Sequence, residues 1–127
     1  MNTQAVETKE LSVEELNDLI LDSIQDIKGK NIIKLDLRKL DDAPTDFFFI
    51  CEGDSNVQVK AIADNVYGRV KREGGQLPLS YEGHQHSTWV CIDYFNTVVH
   101  VFYKEKRSFY QLEDLWSDAI FTEYETL

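Results

Sequence analysis

The chain has 127 residues and a formal net charge of −10, with 23 acidic and 13 basic side chains. A chain of this length can bury a single hydrophobic core as one domain, so no metal or disulfide is needed to hold it. The acidic balance argues against a general nucleic-acid binder, because Lys and Arg contacts to phosphate supply most non-specific affinity. We therefore expect little direct contact with RNA, none with DNA, and attraction to basic proteins.

Neither the N-terminal sequence nor the two cysteines indicate export. The first residues lack a basic region followed by an apolar run, and no segment approaches the roughly 20 apolar residues that span a bilayer. Cys51 and Cys91 lie inside apolar strand patterns, which favours buried free thiols over a disulfide or a reactive thiol. We therefore expect a cytoplasmic protein without membrane contact.

The first predicted element is a core-facing helix. Residues 1–11 are polar and are expected to be disordered, and Ser12 with Glu15 then forms a capping-box pattern. Gly29 suits the left-handed position after the helix. The helix is expected to bury residues that recur at helical spacing, namely Val13, Leu16, Ile20, Ile24 and Ile27.

Two strands and a second helix are predicted next. Alternating apolar residues from Ile33 to Leu37 indicate a strand, and the continuous apolar run from Phe47 to Cys51 indicates a central strand covered on both faces. The turn Gly53-Asp54-Ser55-Asn56 leads into a helix that ends at Gly74-Gly75. Its predicted buried stripe is Val59, Ile62, Ala63, Val66 and Val70.

The second half of the chain predicts a short strand at Leu77 to Ser80, then a hairpin that turns at Phe95-Asn96. Cross-strand pairing puts one set of residues on a core face: Val90, Ile92, Val99, Val101 and Tyr103. The opposite face, here called the mixed face, comprises Trp89, Cys91, Asp93, Val98, His100 and Phe102. Two large aromatic rings beside an acid and an imidazole are more typical of a partner-binding or partly open surface than of a dry interior.

A short aromatic helix reaching Trp116 ends the predicted domain, and residues 117–127 are expected to form a peripheral acidic tail. The tight hairpin requires antiparallel neighbours, whereas the long helical crossover favours a parallel pair. The sequence therefore predicts a single α/β domain with a mixed sheet and flanking helices, within residues 12–116.

Three groups of residues could carry chemistry, and each has a structural alternative. The Gly53-Asp54-Ser55 turn could hold a phosphate at a helix N-terminus, but Ser55 as an N-cap accounts for the same pattern, and no carboxylate pair for magnesium follows. His84 and His86, with Cys91 and Asp93, could bind zinc, but no second Cys or His cluster closes the site.

A pairing of Cys91 with His100 is geometrically possible on opposite strands, because our register places them face to face. A thiol embedded in a strand, without an adjacent base or helix N-terminus, has little reason to ionise. We therefore predict no catalytic residue, no cofactor and no metal, and hence no enzyme. Nucleotide binding or nucleotidyl transfer at the Gly53 turn is kept as the alternative.

The order and spacing of many of these residues resemble the ribosomal silencing factor family, also called Iojap-like proteins. The resemblance runs from about Leu16 to Trp116. It rests on Thr45-Asp46, Gly53-x-Ser55, Val59, Ile62-Ala63-Asp64, Glu82-Gly83, Trp89, Asp93, Val98-Val99-His100-Val101-Phe102, Arg107, Tyr110 and Leu112-Glu113-x-Leu115-Trp116. The turn departs from the family pattern, since Phe95-Asn96 stands where Gly-Asp is usual, and Tyr94 replaces an aliphatic residue.

The resemblance implies a nucleotidyltransferase-like fold that has lost its catalytic acids and acts as a binding module. Its expected partner is the large ribosomal subunit, specifically the L-fourteen protein, and its expected effect is to block joining of the small subunit when nutrients run short. A role in large-subunit biogenesis and a homodimer in the unbound state are further expectations. The expected partner-binding residues are Trp89, Asp93, Tyr94, His100, Phe102, Arg107 and Tyr110.

Overall fold

The helices and strands of the computed structural model build one mixed α/β domain. The structure describes residues 10–110 and 112–127, with the side chains of 108–113 excepted. The helices are α1 (Val13–Asp26), α2 (Asn56–Gly74), α3 (Lys104–Tyr110) and α4 (Leu112–Leu115). The strands are β1 (Lys30–Asp36), β2 (Phe47–Gly53), β3 (Ser80–Glu82), β4 (Trp89–Asp93), β5 (Thr97–Tyr103) and β6 (Ile120–Tyr124).

The sheet has the order β3-β4-β5-β2-β1-β6, and only β2 and β5 run parallel to each other. The mixed sheet predicted from the element order is therefore confirmed. The apolar strand Phe47–Gly53 lies in the centre of the sheet, as predicted, and its side chains are buried on both faces.

Two hydrophobic clusters cover the two faces of the sheet. On one face α1 and α2 contribute most of the apolar side chains, and the buried stripe of α2 is the one predicted. The other face carries Phe48, Ile50 and Phe102, against which Leu40 and Trp116 pack from surrounding segments. The mixed face of the hairpin belongs to this second cluster.

The predicted capping signals are confirmed at three of the four ends of α1 and α2. Ser12 and Glu15 form the reciprocal capping box of α1, Ser55 caps α2, and Gly75 takes the left-handed conformation after it. The prediction for Gly29 is wrong by one residue, since Lys28 has the positive φ of 60°. Gly29 is required for a different reason, because a Cβ at that position would collide with the side chain of Ile24.

The short third strand was predicted too early in the chain. It begins at Ser80 and ends at Glu82, and Leu77 and Leu79 are 59% and 70% exposed. The Leu79 amide still donates to the Asp93 carbonyl at 2.7 Å. The sheet edge is therefore formed by polar residues, and Glu82 becomes part of it.

The hairpin turn lies at Phe95 as predicted, in a strained conformation. Phe95 has a φ of 75° and is 70% exposed. The Asn96 amide donates to the Tyr94 carbonyl at 3.0 Å, which is a γ-turn hydrogen bond. The Thr45 hydroxyl holds the Phe95 carbonyl at 2.7 Å, and the Asp93 carboxylate accepts from the Phe95 amide. These bonds offset the cost of a positive φ at an aromatic residue.

The predicted peripheral tail is wrong for its central part. Ile120–Tyr124 form β6, which pairs antiparallel with β1. Thr126 donates to the Gly29 carbonyl at 2.9 Å, so the chain end is also attached beyond the strand. At the other terminus, residues 1–9 of the segment predicted to be disordered lie outside the described residues, and Leu11 packs against the helix-side core.

Candidate partner-binding site

The hairpin register places the mixed face as the alternating pattern predicts. Trp89 lies opposite Phe102, Cys91 opposite His100, and Asp93 opposite Val98. Residues opposite each other on antiparallel strands point to the same face. The six predicted members of the mixed face therefore do share one side of the sheet.

Hydrogen bonding and stacking fix the Trp89 ring. Its indole N–H donates to Nδ1 of His100 at 3.0 Å, and its ring stacks on Phe102 with centroids 5.3 Å apart. Phe48 meets His100 edge to face at 4.8 Å. Because Nδ1 of His100 accepts this hydrogen bond, its proton must reside on Nε2, which has no hydrogen-bond partner within the described part of the chain.

Burial removes several predicted site residues from the surface. Phe102 is 1% exposed and His100 is 6% exposed, and Tyr94 is 3% exposed within the helix-side core. Burial also lowers the pKa of His100 to about 4, so that the imidazole is neutral near pH 7. The expectation of an open mixed face is wrong for His100 and Phe102, which can only support a surface, and Tyr94 lies on the opposite, helix-covered face of the sheet.

The accessible part of the mixed face lies at its β3 side. Glu82 pairs with Cys91 across β3 and β4, so the exposed Glu82 carboxylate lies on the mixed face. Trp89, Cys91 and Asp93 are each partly exposed. We call these four residues, Glu82, Trp89, Cys91 and Asp93, the edge strip. Sequence reasoning missed Glu82 because it placed the strand before that residue.

The edge strip is acidic, and the thiol within it is inert. Burial raises the pKa of Cys91 to about 11, with smaller contributions from the negative charges of Asp93 and Glu82. Neither carboxylate forms an ion pair with a described residue. A protonated thiol between two carboxylates is unsuited to nucleophilic attack, and the pairing of Cys91 with His100 is therefore structural.

Arg107 lies beside the mixed face and forms a partly buried ion pair. Its guanidinium donates to Glu52 at 3.1 Å and to the Asn31 carbonyl at 2.6 Å, and the two charged side chains are 11% and 12% exposed. Glu52 pairs with Phe102 in the sheet. The role of Arg107 in the structure is to link α3 to β1 and β2. The side chain of Tyr110 lies outside the described set.

The Gly53-Asp54-Ser55 turn is internally satisfied. The Ser55 hydroxyl accepts from the Gln58 amide at 3.1 Å, and the Asp54 amide donates to the Gln58 side chain at 2.6 Å. The Asp54 carboxylate pairs with Lys30 at 2.5 Å and adds negative charge where a phosphate would bind. Among the described residues there is no group of three or more His, Cys, Asp or Glu side chains suited to a metal ion.

The fold and this surface define a single-domain α/β protein with a mixed six-stranded sheet, two long helices on one face and an aromatic, acidic patch on the other. Residues 10–127 match the family model described as "Ribosomal silencing factor during starvation". The chain belongs to this family, and the resemblance seen in the sequence is confirmed.

Individual relatives and a solved structure agree with this assignment. The ribosomal silencing factor of Halalkalibacterium halodurans is 38% identical over 115 residues, which cover 91% of this chain and 97% of that protein. The chloroplastic Iojap protein of Zea mays is 31% identical over 78 residues, 59% of this chain and 32% of its own length. A crystal structure of a Chromobacterium violaceum protein superposes with a TM-score of 0.79 at 37% identity, covering 84% of this chain and 88% of the other.

Within the described residues, no helix is long and apolar enough to cross a membrane.

Proposed function

We propose that this protein is a translational repressor that binds the large ribosomal subunit through its L-fourteen protein and blocks joining of the small subunit. It would thereby slow translation under starvation, with a further role in large-subunit biogenesis. The family description supports the coarse role, since it names a ribosomal silencing factor during starvation. Occupying the joining surface is sufficient for inhibition, so the proposal requires neither turnover nor a cofactor.

The edge strip carries this proposal. It combines one ordered aromatic ring with two carboxylates, Glu82 and Asp93, that are not neutralised by any described cation. The Asp93 carboxylate is oriented by the Phe95 amide at 2.7 Å. Aromatic anchors surrounded by polar groups are typical binding hot spots, and carboxylates select a basic protein patch over RNA phosphate.

The buried members of the mixed face support the surface instead of contacting the partner. His100 fixes the indole orientation through Nδ1, and Phe102 supports the indole face. A ring that is ordered before binding loses less conformational entropy when the complex forms. The predicted site residues therefore divide into contacting residues, Trp89 and Asp93, and supporting residues, His100 and Phe102.

Charge reversal at the edge strip tests the proposal. Glu82→Lys leaves the core and the hairpin turn intact, whereas Asp93→Lys also removes the acceptor of the Phe95 amide. Glu82→Lys and Asp93→Lys should each weaken binding of purified protein to large subunits at least tenfold. In each variant the new lysine would face a basic patch of the same charge. Binding can be measured by co-sedimentation with isolated large subunits, and subunit joining by light scattering. Retained folding is checked by circular dichroism.

A matched control is Glu14→Lys, an equal charge change on exposed α1 on the other side of the sheet. This variant should bind within about twofold of wild type. Trp89→Ala is a second edge-strip variant, expected to lose about 2 kcal/mol of binding free energy, roughly a thirtyfold change. Equal binding by all folded variants would move the docking surface elsewhere, and failure of the wild-type protein to bind would reject the proposed function.

A further inference from the structure

The hairpin turn presents a large apolar side chain where the backbone disfavours one. Phe95 has a φ of 75° and is 70% exposed. It is the central residue of a γ-turn, because the Asn96 amide donates to the Tyr94 carbonyl, and a γ-turn with a positive central φ is rare and strained. Glycine adopts a positive φ without a steric penalty, whereas a bulky residue does not. Since the side chain is also largely in solvent, the fold gains little from a phenylalanine here.

Two further exposed apolar side chains lie next to the turn. Leu77 and Leu79, in the segment that leads into β3, are 59% and 70% exposed. The Leu79 amide donates to the Asp93 carbonyl at 2.7 Å, and Asp93 precedes Phe95 by two residues, so Leu79 lies beside the turn. We call Leu77, Leu79 and Phe95 the corner patch. Single exposed apolar residues are ordinary, but a group of them beside polar residues is typical of a contact site.

Asp93 connects the corner patch to the edge strip. Its carbonyl accepts from the Leu79 amide, and its carboxylate accepts from the Phe95 amide at 2.7 Å. On the other side of the turn, the Thr45 hydroxyl donates to the Phe95 carbonyl at 2.7 Å. The backbone of Phe95 is therefore fixed before any partner arrives, so that binding has to order only its side chain, at a lower cost in conformational entropy.

We propose that Phe95 and Leu79 are apolar contact residues for the same basic protein that the edge strip binds, an inference that rests on the proposed function. Backbone strain that the surrounding bonds maintain points to a functional role for the strained residue. The occupant is a protein surface and not RNA, because Glu82 and Asp93 beside the patch repel phosphate. An apolar anchor next to polar groups is the usual composition of a binding hot spot.

Three substitutions at one position separate the ring from the strain. Phe95→Tyr keeps the ring and the strained backbone, Phe95→Ala keeps only the strain, and Phe95→Gly removes both. Phe95→Tyr should bind isolated large subunits within about twofold of wild type, whereas Phe95→Ala and Phe95→Gly should each raise the Kd at least about tenfold, as expected for loss of an aromatic contact. Co-sedimentation measures the Kd.

Stability should follow a different order from binding. Phe95→Gly should have the highest urea midpoint of the set, since glycine alone relieves the positive φ. A residue with a purely structural role would give binding that follows the midpoint, so that Phe95→Gly would bind best. Urea unfolding followed by circular dichroism gives the midpoints of wild type and all three variants.

A second position and a matched control extend the test. Leu79→Ser should raise the Kd about threefold or more, because it removes an apolar contact at the same corner. Val57 is 79% exposed at the start of α2, after the end of β2 that lies away from the turn. Val57→Ser removes an equally exposed apolar side chain there and should leave the Kd within about twofold of wild type.

The possible outcomes distinguish this inference from the proposed function. Wild-type affinity in Phe95→Ala and Leu79→Ser, together with weakened binding by Glu82→Lys, would overturn the corner patch as a contact and leave the edge strip in place. Binding by Phe95→Gly that equals or exceeds that of wild type would also overturn it. Failure of the wild-type protein to bind large subunits would reject the proposed function, and the corner-patch contact with it.

Discussion

At the scale of single residues, the His100 and Trp89 pair links core stability to surface order. The imidazole is 6% exposed and accepts the indole N–H through Nδ1. Protonation of Nδ1 would abolish this hydrogen bond and place a charge beside Phe48 and Phe102, which meet the imidazole ring. The protein therefore depends on a neutral histidine to hold the aromatic ring of its proposed docking surface.

This dependence predicts a loss of stability in mild acid. Burial lowers the pKa of His100 from 6.5 to about 4, so between these values the unfolded chain binds a proton that the folded chain does not. The free energy of unfolding is therefore unaffected by His100 above pH 6.5, and it falls by up to about 3 kcal/mol as the pH falls toward 4. Urea unfolding of wild type and His100→Phe between pH 4 and 7 measures the difference.

The variant should show a flatter dependence of unfolding free energy on pH than wild type, even if its stability at pH 7 is lower. His86→Phe, at an exposed histidine in the loop before β4, serves as the matched control and should retain the wild-type slope. Parallel curves for wild type and His100→Phe would show that another group dominates the acid response.

At the scale of secondary-structure elements, β6 is attached mainly through its backbone. Four of its five residues are exposed, and only Tyr124 packs against the helix-side core. Side-chain bonds from α1 reinforce the following residues, where Gln25 donates to the Glu125 carbonyl at 3.0 Å. Because β6 also covers the edge of β1, removing it would expose the backbone groups of an apolar strand.

We therefore expect that deletion of residues 117–127 destabilises the protein. Loss of the strand pairing, of Ala119 and Tyr124 packing and of the hydrogen bonds to α1 should lower the free energy of unfolding by about 2 to 4 kcal/mol. The transition should remain cooperative, because both core clusters keep their central strands. Chemical denaturation of the full chain and the truncated chain measures this change, and an unchanged midpoint would show that β6 contributes little.

At the scale of the whole molecule, the negative charge is concentrated at the chain ends. Residues 1–30 and 108–127 together account for nine of the ten net charges. On α1, Glu14, Asp18, Asp22 and Asp26 are all exposed and four residues apart, and Arg69 pairs with the last two of these acids. A field of this sign attracts a basic protein patch and repels RNA phosphate.

This charge distribution predicts how association with the large subunit depends on salt. Neutralising Glu14→Gln together with Asp18→Asn should slow association up to about twofold at low ionic strength and leave dissociation unchanged, because distant charges affect mainly the encounter. The effect should vanish near 1 M salt, where the screening length falls to about 3 Å. Stopped-flow kinetics can measure both rates. Faster association by the double variant would show that repulsion from RNA outweighs attraction to the protein partner.

Much of this architecture follows from local patterns in the sequence. The buried stripe of α2 and the two faces of the hairpin are set by periods of 3.6 and 2 residues, and each repeats often enough to identify the element. Ser12, Ser55 and Gly75 act within one turn of their helices, so their roles need no distant contact. The acidic balance and the composition of the mixed face pointed to a protein partner for the same reason, since both are properties of the residues themselves.

Only the tertiary structure decided the features that depend on distant segments. β6 has no alternating apolar pattern, and it is a strand because the edge of β1 supplies its hydrogen-bond partners. Phe102 and His100 are buried because Phe48 and Trp116 arrive from other parts of the chain, which no property of the hairpin sequence reveals. The proposed docking surface is narrower than the mixed face for that reason, and Glu82 joins it because strand pairing, not local sequence, fixes which residue faces Cys91.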